Sequence, residues 1–540
     1  MLRKKEKGLH GPAGFGHNRG FFYPGNSGLK AMECTPLPSK KSFFMSVHMV
    51  STFLFALFLT SCQSARSQPA GFELEKRLFE AYERYREPGI TDRRFKHSDV
   101  EPLVRQLPEP FRVEQQGASI EGRAIYSVQL GSGPVQVLLW SQMHGDEATA
   151  TMALLDLFRF FQASGDGFDD LRQRILDQTT LTFIPLLNPD GADRFTRRNA
   201  LGVDLNRDAL RLQCPESRIL KRLRDELDAD WGFNLHDQNR YYAAGTSDQT
   251  ASVSFLAPAY NYAKEVNKTR GAAMQLIVHL NELLQQYIPG QVARYDDAFE
   301  PRAFGDNIQK WGTRTILIES GGLKGDPEKQ YLRKLHFVAL LSAFRAIASG
   351  SWQQKERAAY EDIPYNNSNA FHDLLVREVE LAFQGETFVV DLAFRIREVD
   401  YDGNRKHYPR ASITDLGDLS TYHAYQDIPA AGYRAVPGRI YSRTLGSVRE
   451  LTQLDVPGLL RSGITTIPVR RLPKDKSYRR LPIELALPGK TGDNDIHLYG
   501  NPSFTLQKDG QVIYAVINGR AYAVKETEAI RKQVEEILGK

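Results

Sequence analysis

The sequence predicts an α/β fold, with a mixed, mostly parallel sheet flanked by helices over residues 121–350 and a β-rich C-terminal domain over 371–540. Three observations predict it. Between 121 and 350, short apolar runs such as Val135-Gln-Val-Leu-Leu-Trp140 take turns with amphipathic stretches of helical spacing, the pattern of buried strands joined by crossover helices. Beyond 371, segments such as Thr387–Phe394 and Gln511–Ile517 alternate in strand fashion, separated by Gly-containing turns. Residues 351–370, with the polar run Asp362-Ile-Pro-Tyr-Asn-Asn-Ser-Asn369, read as the linker between the two.

Residues 1–62 read as a leader. They hold eight Lys/Arg and two Asp/Glu, which leaves 62 basic and 63 acidic side chains for the rest of the chain. A nearly neutral body lacks the basic field that sequence-independent nucleic-acid binding needs, so no nucleic-acid partner is expected. Residues 1–31 are a Gly-rich basic tail that a signal does not require, and Met32 and Met45 are alternative starts. Lys40-Lys41, an apolar run and a small-residue boundary then form a secretory signal pattern. Its end, Leu59-Thr60-Ser61-Cys62, resembles a bacterial lipobox. That resemblance implies cleavage before Cys62, lipidation of its sulfur, and an extracytoplasmic protein held to a membrane; Gln63 points to the outer membrane. The competing reading is a transmembrane anchor of about 20 apolar residues, weakened here by His48 and several Ser/Thr.

Residues 63–120 form a helical and irregular lead-in, with helical spacing from Glu73 to Arg86 stopped by Pro88-Gly89. Strands are expected at 135–140, 180–187, 231–235 and 313–318, and helices at 147–161, 217–228, 257–288 and 328–348. The C-terminal domain closes with a helix from Glu526 to Leu538. Once the leader is cleaved, Cys62 and Cys214 remain; a lipidated Cys62 leaves one thiol, so no intramolecular disulfide supports the fold.

Four polar clusters follow the C-terminal ends of predicted strands, the edge where open α/β sheets bind ligands. They are His144-Gly-Asp-Glu147, His236-Asp237, Glu319-Ser-Gly-Gly322, and a run from Asn188-Pro-Asp-Gly191 through Arg197-Arg-Asn-Ala-Leu-Gly-Val-Asp-Leu-Asn-Arg207. His144 and Glu147, three apart at a strand-to-helix turn, can converge on one point. Two imidazoles and one carboxylate make a catalytic zinc site with a fourth position open, and a further carboxylate, Glu319, can act as general base. Alone, His-x-x-Glu carries little, since a chain of this length holds about one by chance. Four clusters in one order on one edge carry more.

On the residues His144-x-x-Glu147, Asn188-Pro-Asp-Gly191, Arg197-x-Asn199-x-x-Gly202-Val-Asp-Leu-Asn-Arg207, His236 and Glu319, the chain resembles the zinc carboxypeptidases (funnelin-type metallocarboxypeptidases) over about 120–350. The resemblance implies a metallocarboxypeptidase-like sheet in which His144, Glu147 and His236 bind zinc and Glu319 is the general base and acid. It implies that Asp204 orients His144, that Asn206 and Arg207 hold the substrate's terminal carboxylate, and that Arg197 polarises the scissile carbonyl. Spacing favours Arg197 over its neighbour Arg198 for that role. Tyr295 is the candidate for the tyrosine that closes over substrate in digestive members, and the Glu147–His236 gap is shorter than theirs.

The expected function is zinc-dependent hydrolysis of C-terminal peptide bonds, with a peptide or murein peptide bearing a free carboxylate as substrate. The alternatives are a murein-peptide amidase or amino-acid deacylase using the same zinc site, and a non-catalytic binding protein on the same scaffold. Bland readings suffice for His279 and His336 as helix residues, and for Cys214 as a loop residue without a partner; Tyr241 and Tyr242 fit pocket lining or core equally.

Overall fold

The computed structural model describes residues 71–490 and 494–539. The expectation of a lipidated Cys62 therefore concerns residues outside the described ones. Among the described residues, no helix is long and apolar enough to cross a membrane.

The strands of the first half are β1 (Arg112–Ala118), β2 (Ala124–Leu130), β3 (Val135–Ser141), β4 (Thr179–Ile184), β5 (Trp231–Asp237), β6 (Ala243–Ala244), β7 (Val253–Leu256), β8 (Val292–Arg294) and β9 (Arg314–Ser320). Its helices are α1 (Glu73–Ala81), α2 (His97–Arg105), α3 (Thr149–Gln162), α4 (Asp169–Gln178), α5 (Pro189–Arg194), α6 (Pro215–Leu227), α7 (Lys268–Leu284), α8 (Phe304–Lys310) and α9 (Gln330–Ser349). Eight strands form one mixed sheet in the order β1-β2-β4-β3-β5-β9-β7-β8. The β4-β3-β5-β9 centre is parallel throughout.

The apolar runs of the central strands are buried on both faces, which is why they lack polar alternation. Leu139, Phe183, Phe233 and Ile316 face the core built with α3, α7 and α9. Leu138, Trp140 and Ile184 point the other way, onto Leu220 of α6 and Phe304 and Ile308 of α8. The chain leaves β3 for β4 on one side and later returns to β5 on the other. That reversal opens a crevice at the strands' C-terminal ends.

The sheet begins earlier than the sequence reading placed it. Arg112–Ala118, inside the expected lead-in, is an edge strand paired antiparallel with β2. Its half-exposed residues carry no apolar alternation, so nothing in the local pattern marks it. The lead-in is fastened by a buried ion pair: Arg333 of α9 donates to both oxygens of Asp156 of α3 at 2.7 and 2.6 Å, and to the Ile90 and Glu87 carbonyls. The expected helix 257–288 is shorter, Lys268–Leu284, because Asn267 caps it by accepting from the Arg270 amide at 2.9 Å.

Residues 351–370 pack against the first sheet. Tyr360 and Ile363 join its core, the Tyr360 hydroxyl accepts from the Ala257 amide, and β10 (Asn366–Asn367) pairs with β6. Beyond them lie β11 (Phe371–Phe383), β12 (Glu386–Tyr401), β13 (Lys406–Gly417), β14 (His423–Pro429), β15 (Arg434–Pro437), β16 (Arg439–Ile440), β17 (Ile464–Pro468), β18 (Glu484–Ala486), β19 (Phe504–Lys508), β20 (Gln511–Ile517) and β21 (Arg520–Ala523). An eight-stranded sheet runs β13-β12-β11-β15-β19-β20-β21, with β14 also pairing β11. Helices α10 (Val456–Arg461) and α11 (Thr527–Leu538) cover the end of it, around a core of Leu460, Ile467, Leu485, Ile517 and Ile530.

Several contacts join this β-rich region to the first half of the chain. Arg94, nearly fully buried, donates to Glu398 of β12 at 2.7 Å and pairs with Asp400 at 2.8 Å, while Arg93 takes the other Glu398 oxygen at 2.7 Å. In the loop after β5, the Tyr241 hydroxyl donates to Asp373 at 2.6 Å and Arg240 pairs with the same carboxylate. The Tyr425 hydroxyl donates to the Arg240 carbonyl at 2.6 Å.

Candidate metal centre and catalytic site

His144 and Glu147 lie in the turn between β3 and α3, and His236 lies near the end of β5. On the neighbouring strand, Glu319 of β9 stands directly opposite His236 in the parallel register. The first turn is held by close backbone packing. A Cβ on Gly145 would collide with the backbone of Gly191, so the His144 turn and the Asn188-Pro-Asp-Gly191 turn can interlock only with glycine there. Asn188 completes the joint: its side-chain oxygen accepts from the Gly191 amide at 2.9 Å, and its amide donates to the Met143 and Arg197 carbonyls.

The two imidazoles turn Nδ1 toward each other, 3.1 Å apart. Glu147 spans them, with one oxygen 2.7 Å from His144 Nδ1 and the other 2.6 Å from His236 Nδ1. The Asp237 amide donates to Glu147 at 3.1 Å and fixes the carboxylate's tilt. Asp204 faces the far nitrogen of His144, Nε2, at 3.1 Å. His144, Glu147 and His236 are buried, and their ligand atoms lie within 4.8 Å of one another.

This donor set fits zinc. Tetrahedral ligands on bonds of about 2.05 Å sit roughly 3.3 Å apart; the Nδ1 atoms already have that spacing, and the N···O pairs need to open by about half an ångström. His236 Nε2 has no hydrogen-bond partner among the described residues. Charge balance points the same way. Burial opposes a proton on His144, but Glu147 and Asp204 outweigh it and raise the ring to about 9. Burial lowers His236. Burial likewise works against the Glu147 charge, yet the two imidazoles hold it well below the usual carboxylate range. A divalent cation satisfies both rings and the carboxylate together, at the expense of the proton on His144.

Glu319 is buried with one oxygen, Oε2, unpartnered among the described residues. Burial first, and the Glu147 charge second, push it well above the ordinary range. Lys329 secures the same edge by donating to the Ser320 carbonyl at 2.9 Å and pairing with Asp237 at 3.1 Å.

Arg197 reaches into the centre: Nη1 lies 3.2 Å from Glu147 and 3.1 Å from His144 Nδ1, and its Nε donates to Asp204 at 3.1 Å. Arg198 turns away and donates to the Gly202 carbonyl at 3.0 Å. Asp204, lowered despite burial by the hydrogen bonds and charges of His144 and Arg197, thus anchors His144 and the arginine beside it. Asn206 accepts the Phe304 amide on its side-chain oxygen at 2.9 Å, and its side-chain nitrogen, Nδ2, has no acceptor among the described residues. Arg207 is exposed and pairs loosely with Glu300 at 3.5 Å. Burial, with the Glu319 charge next in effect, raises the Tyr295 phenol; the ring lies 6.2 Å from that of Tyr242. Tyr241, by contrast, is committed to Asp373.

The sequence reading gave no role to the groups that complete the surroundings. Tyr425, from β14, sits so close to Gly322 that a Cβ there would strike its hydroxyl; the Gly-Gly after Glu319 is the local trace of that contact. A cleft of about 970 Å³ lies between the catalytic edge and the β-rich region, and Glu147 and Arg197 line it.

Residues 97–270 match the family profile of zinc carboxypeptidases. The chain is 29% identical over 192 residues to carboxypeptidase SOL1 of Arabidopsis thaliana, a match spanning 30% of this chain and 38% of that protein. It is 31% identical over 142 residues to the carboxypeptidase N catalytic chain of Homo sapiens, spanning 21% of this chain and 30% of the relative. The chain therefore spans well under half the length of these curated relatives. Among solved structures, a metallo-carboxypeptidase from Burkholderia cenocepacia aligns with a TM-score of 0.39 at 19% identity, over 47% of this chain and 69% of that one.

Proposed function

We propose that this chain, whose residues 97–270 match the zinc carboxypeptidase profile, removes residues from the free C-terminal end of peptides. The observation that carries the reading is the buried convergence of His144, Glu147 and His236, with Glu319 one strand away in register with His236. When bound by those three side chains, zinc supplies a positive charge that polarises the scissile carbonyl and acidifies a water molecule.

The remaining work falls to the chain's own groups. Asn206, through its amide, and Arg207 hold the terminal carboxylate, planar guanidinium to planar carboxylate; the exposed Arg207–Glu300 pair is weak enough for substrate to displace. Arg197 donates to the carbonyl oxygen as it gains negative charge. Glu319 accepts the proton of the attacking water as the new C–O bond forms. It then delivers that proton to the amine nitrogen as the C–N bond breaks. A carboxyl raised by burial is suited to holding a proton between these two events. Asp204 keeps His144 oriented through Nε2, and Tyr295 covers the substrate from the Glu319 side. The signal pattern ending at Cys62 supports an extracytoplasmic, membrane-anchored location, and transfer of the protein to the soluble fraction on Cys62→Ser is the expected check.

The test compares one peptide with a free C-terminus and the same peptide amidated, with products read by mass. Stepwise release of single residues from the free form alone is expected. Equal cleavage of both forms, or cleavage at an internal bond only, contradicts the role of Asn206 and Arg207. A murein peptide with a free carboxylate belongs in the same assay, because a lipid anchor of the kind Cys62 suggests would face cell wall.

A further inference from the structure

We propose that the cleft between the catalytic edge and the β-rich region receives the part of the peptide upstream of the scissile bond. Lys324, Arg480 and Arg520 there select peptides bearing side-chain carboxylates in that stretch. The inference rests on the peptidase reading above and adds to it a substrate class and a role for the C-terminal domain.

Direction comes first. Arg207, assigned to the terminal carboxylate, does not line the cleft, whereas Arg197, assigned to the scissile carbonyl, does. A peptide anchored at Arg207 and passing Arg197 continues into the cleft. Its volume of about 970 Å³ suits a few residues of extended chain. The walls come from both halves of the molecule: the 321–329 loop after Glu319 on one side, and Tyr425, Arg480 and residues 519–523 on the other.

Charge comes second. Most acids lining the cleft are already committed. Asp373 is held by Arg240 and Tyr241, Glu398 by Arg93 and Arg94, and Asp237 by Thr149 and Lys329. Glu328 pairs with Arg93, and Asp326 accepts from three amides at the start of α9. The cations are not matched in this way. Lys324 and Arg520 have no ion-pair or side-chain hydrogen-bond partner among the described residues. Arg480 touches only His407, at the ring nitrogen and the carbonyl, and burial, helped by neighbouring arginines, lowers His407 to about 4 so that its ring is neutral near pH 7. Among the lining acids Asp146, Asp326 and Glu526 have no salt bridge, and Asp326 is taken up by the three amides. Three uncommitted cations on walls that flank the path of the chain favour a substrate that brings carboxylates of its own, because interactions inside a cleft are screened less than those on open surface.

The experiment uses the whole zinc-loaded protein and two peptides that share their last two residues but carry Glu or Gln at the three preceding positions. In the wild type the Glu peptide is expected to have a kcat/KM about tenfold higher at low salt, mainly through KM, with the advantage shrinking at high salt. In the triple variant Lys324→Gln, Arg480→Gln, Arg520→Gln the ratio of the two peptides is expected to fall toward one, with a thermal melt confirming the fold. A wild-type ratio near one, or a preference that survives in the folded triple variant, overturns the proposal. Release from neither peptide overturns the peptidase reading itself, and this inference with it. A murein peptide run alongside the linear Glu peptide distinguishes the two sources of the same carboxylate chemistry.

Discussion

The two walls of the cleft handle charge in opposite ways. On the catalytic edge, His144, Glu147, His236, Asp204 and Arg197 answer one another within about 3 Å, and the three proposed ligands and Asp204 are buried. On the β-rich wall, Arg480 and Arg520 stand partly exposed with no acid attached. A buried cluster behaves as a unit, because removing one member leaves the others desolvated and unpaired. Exposed cations act nearly independently and through binding. Substitutions on the first wall are therefore expected to stop chemistry, and those on the second to shift preference.

The largest expected effect is that of His236→Ala, which removes one of the three proposed ligands: zinc content by metal analysis and peptide hydrolysis are both expected to fall to background. Glu319→Gln separates binding from chemistry, with zinc retained and kcat lower by about 10²–10⁴. Arg197→Ala is expected to lower kcat by roughly 10²–10³, the scale for loss of one oxyanion donor. A steady-state comparison in which KM alone changes would move Arg197 from the reacting carbonyl to ground-state binding.

Smaller effects belong to the joint between the walls. Burial works against the Glu398 charge, but Arg93, His407 and Arg94 hold the carboxyl down at about 2. Its folded pKa lies below the usual Glu value, so its stabilising contribution is present at neutral pH and is lost as pH falls from about 4.5 toward 2. Glu398→Gln is expected to cost about 1.5–3 kcal/mol at pH 7, the range for hydrogen bonds to charged groups. In thermal melts the gap between wild type and variant is expected to narrow as pH drops. A gap independent of pH would mean that the charge does not fasten the two regions.

How much of this was legible in the sequence follows the same division. β3 and β9 read clearly because their buried stretches, Val137–Trp140 and Ile316–Ile318, are apolar on both faces and give way to polar residues, so His144 and Glu319 announce themselves by position. β1 did not, because an edge strand such as Arg112–Ala118 needs no apolar face of its own. β7 is four residues long and merged with the apolar run that precedes α7. The cleft was invisible for a different reason. Lys324, Arg480 and Arg520 come from separate stretches of the chain and belong to no shared periodicity, and Arg93 meets Glu398 across 305 positions. Gly321-Gly322 was the one local clue: glycines after a buried Glu mark a place where another segment, here Tyr425, comes close.

A divalent ion held by His144, Glu147 and His236 is tested most directly by a zinc titration of activity. The whole protein is stripped with chelator, and release of the C-terminal residue is followed as zinc is returned. Activity that is absent in the stripped protein and recovers in proportion to zinc, levelling at one ion per chain, is the predicted result. Hydrolysis that persists in fully stripped protein, or zinc uptake that His236→Ala leaves unchanged, would contradict it.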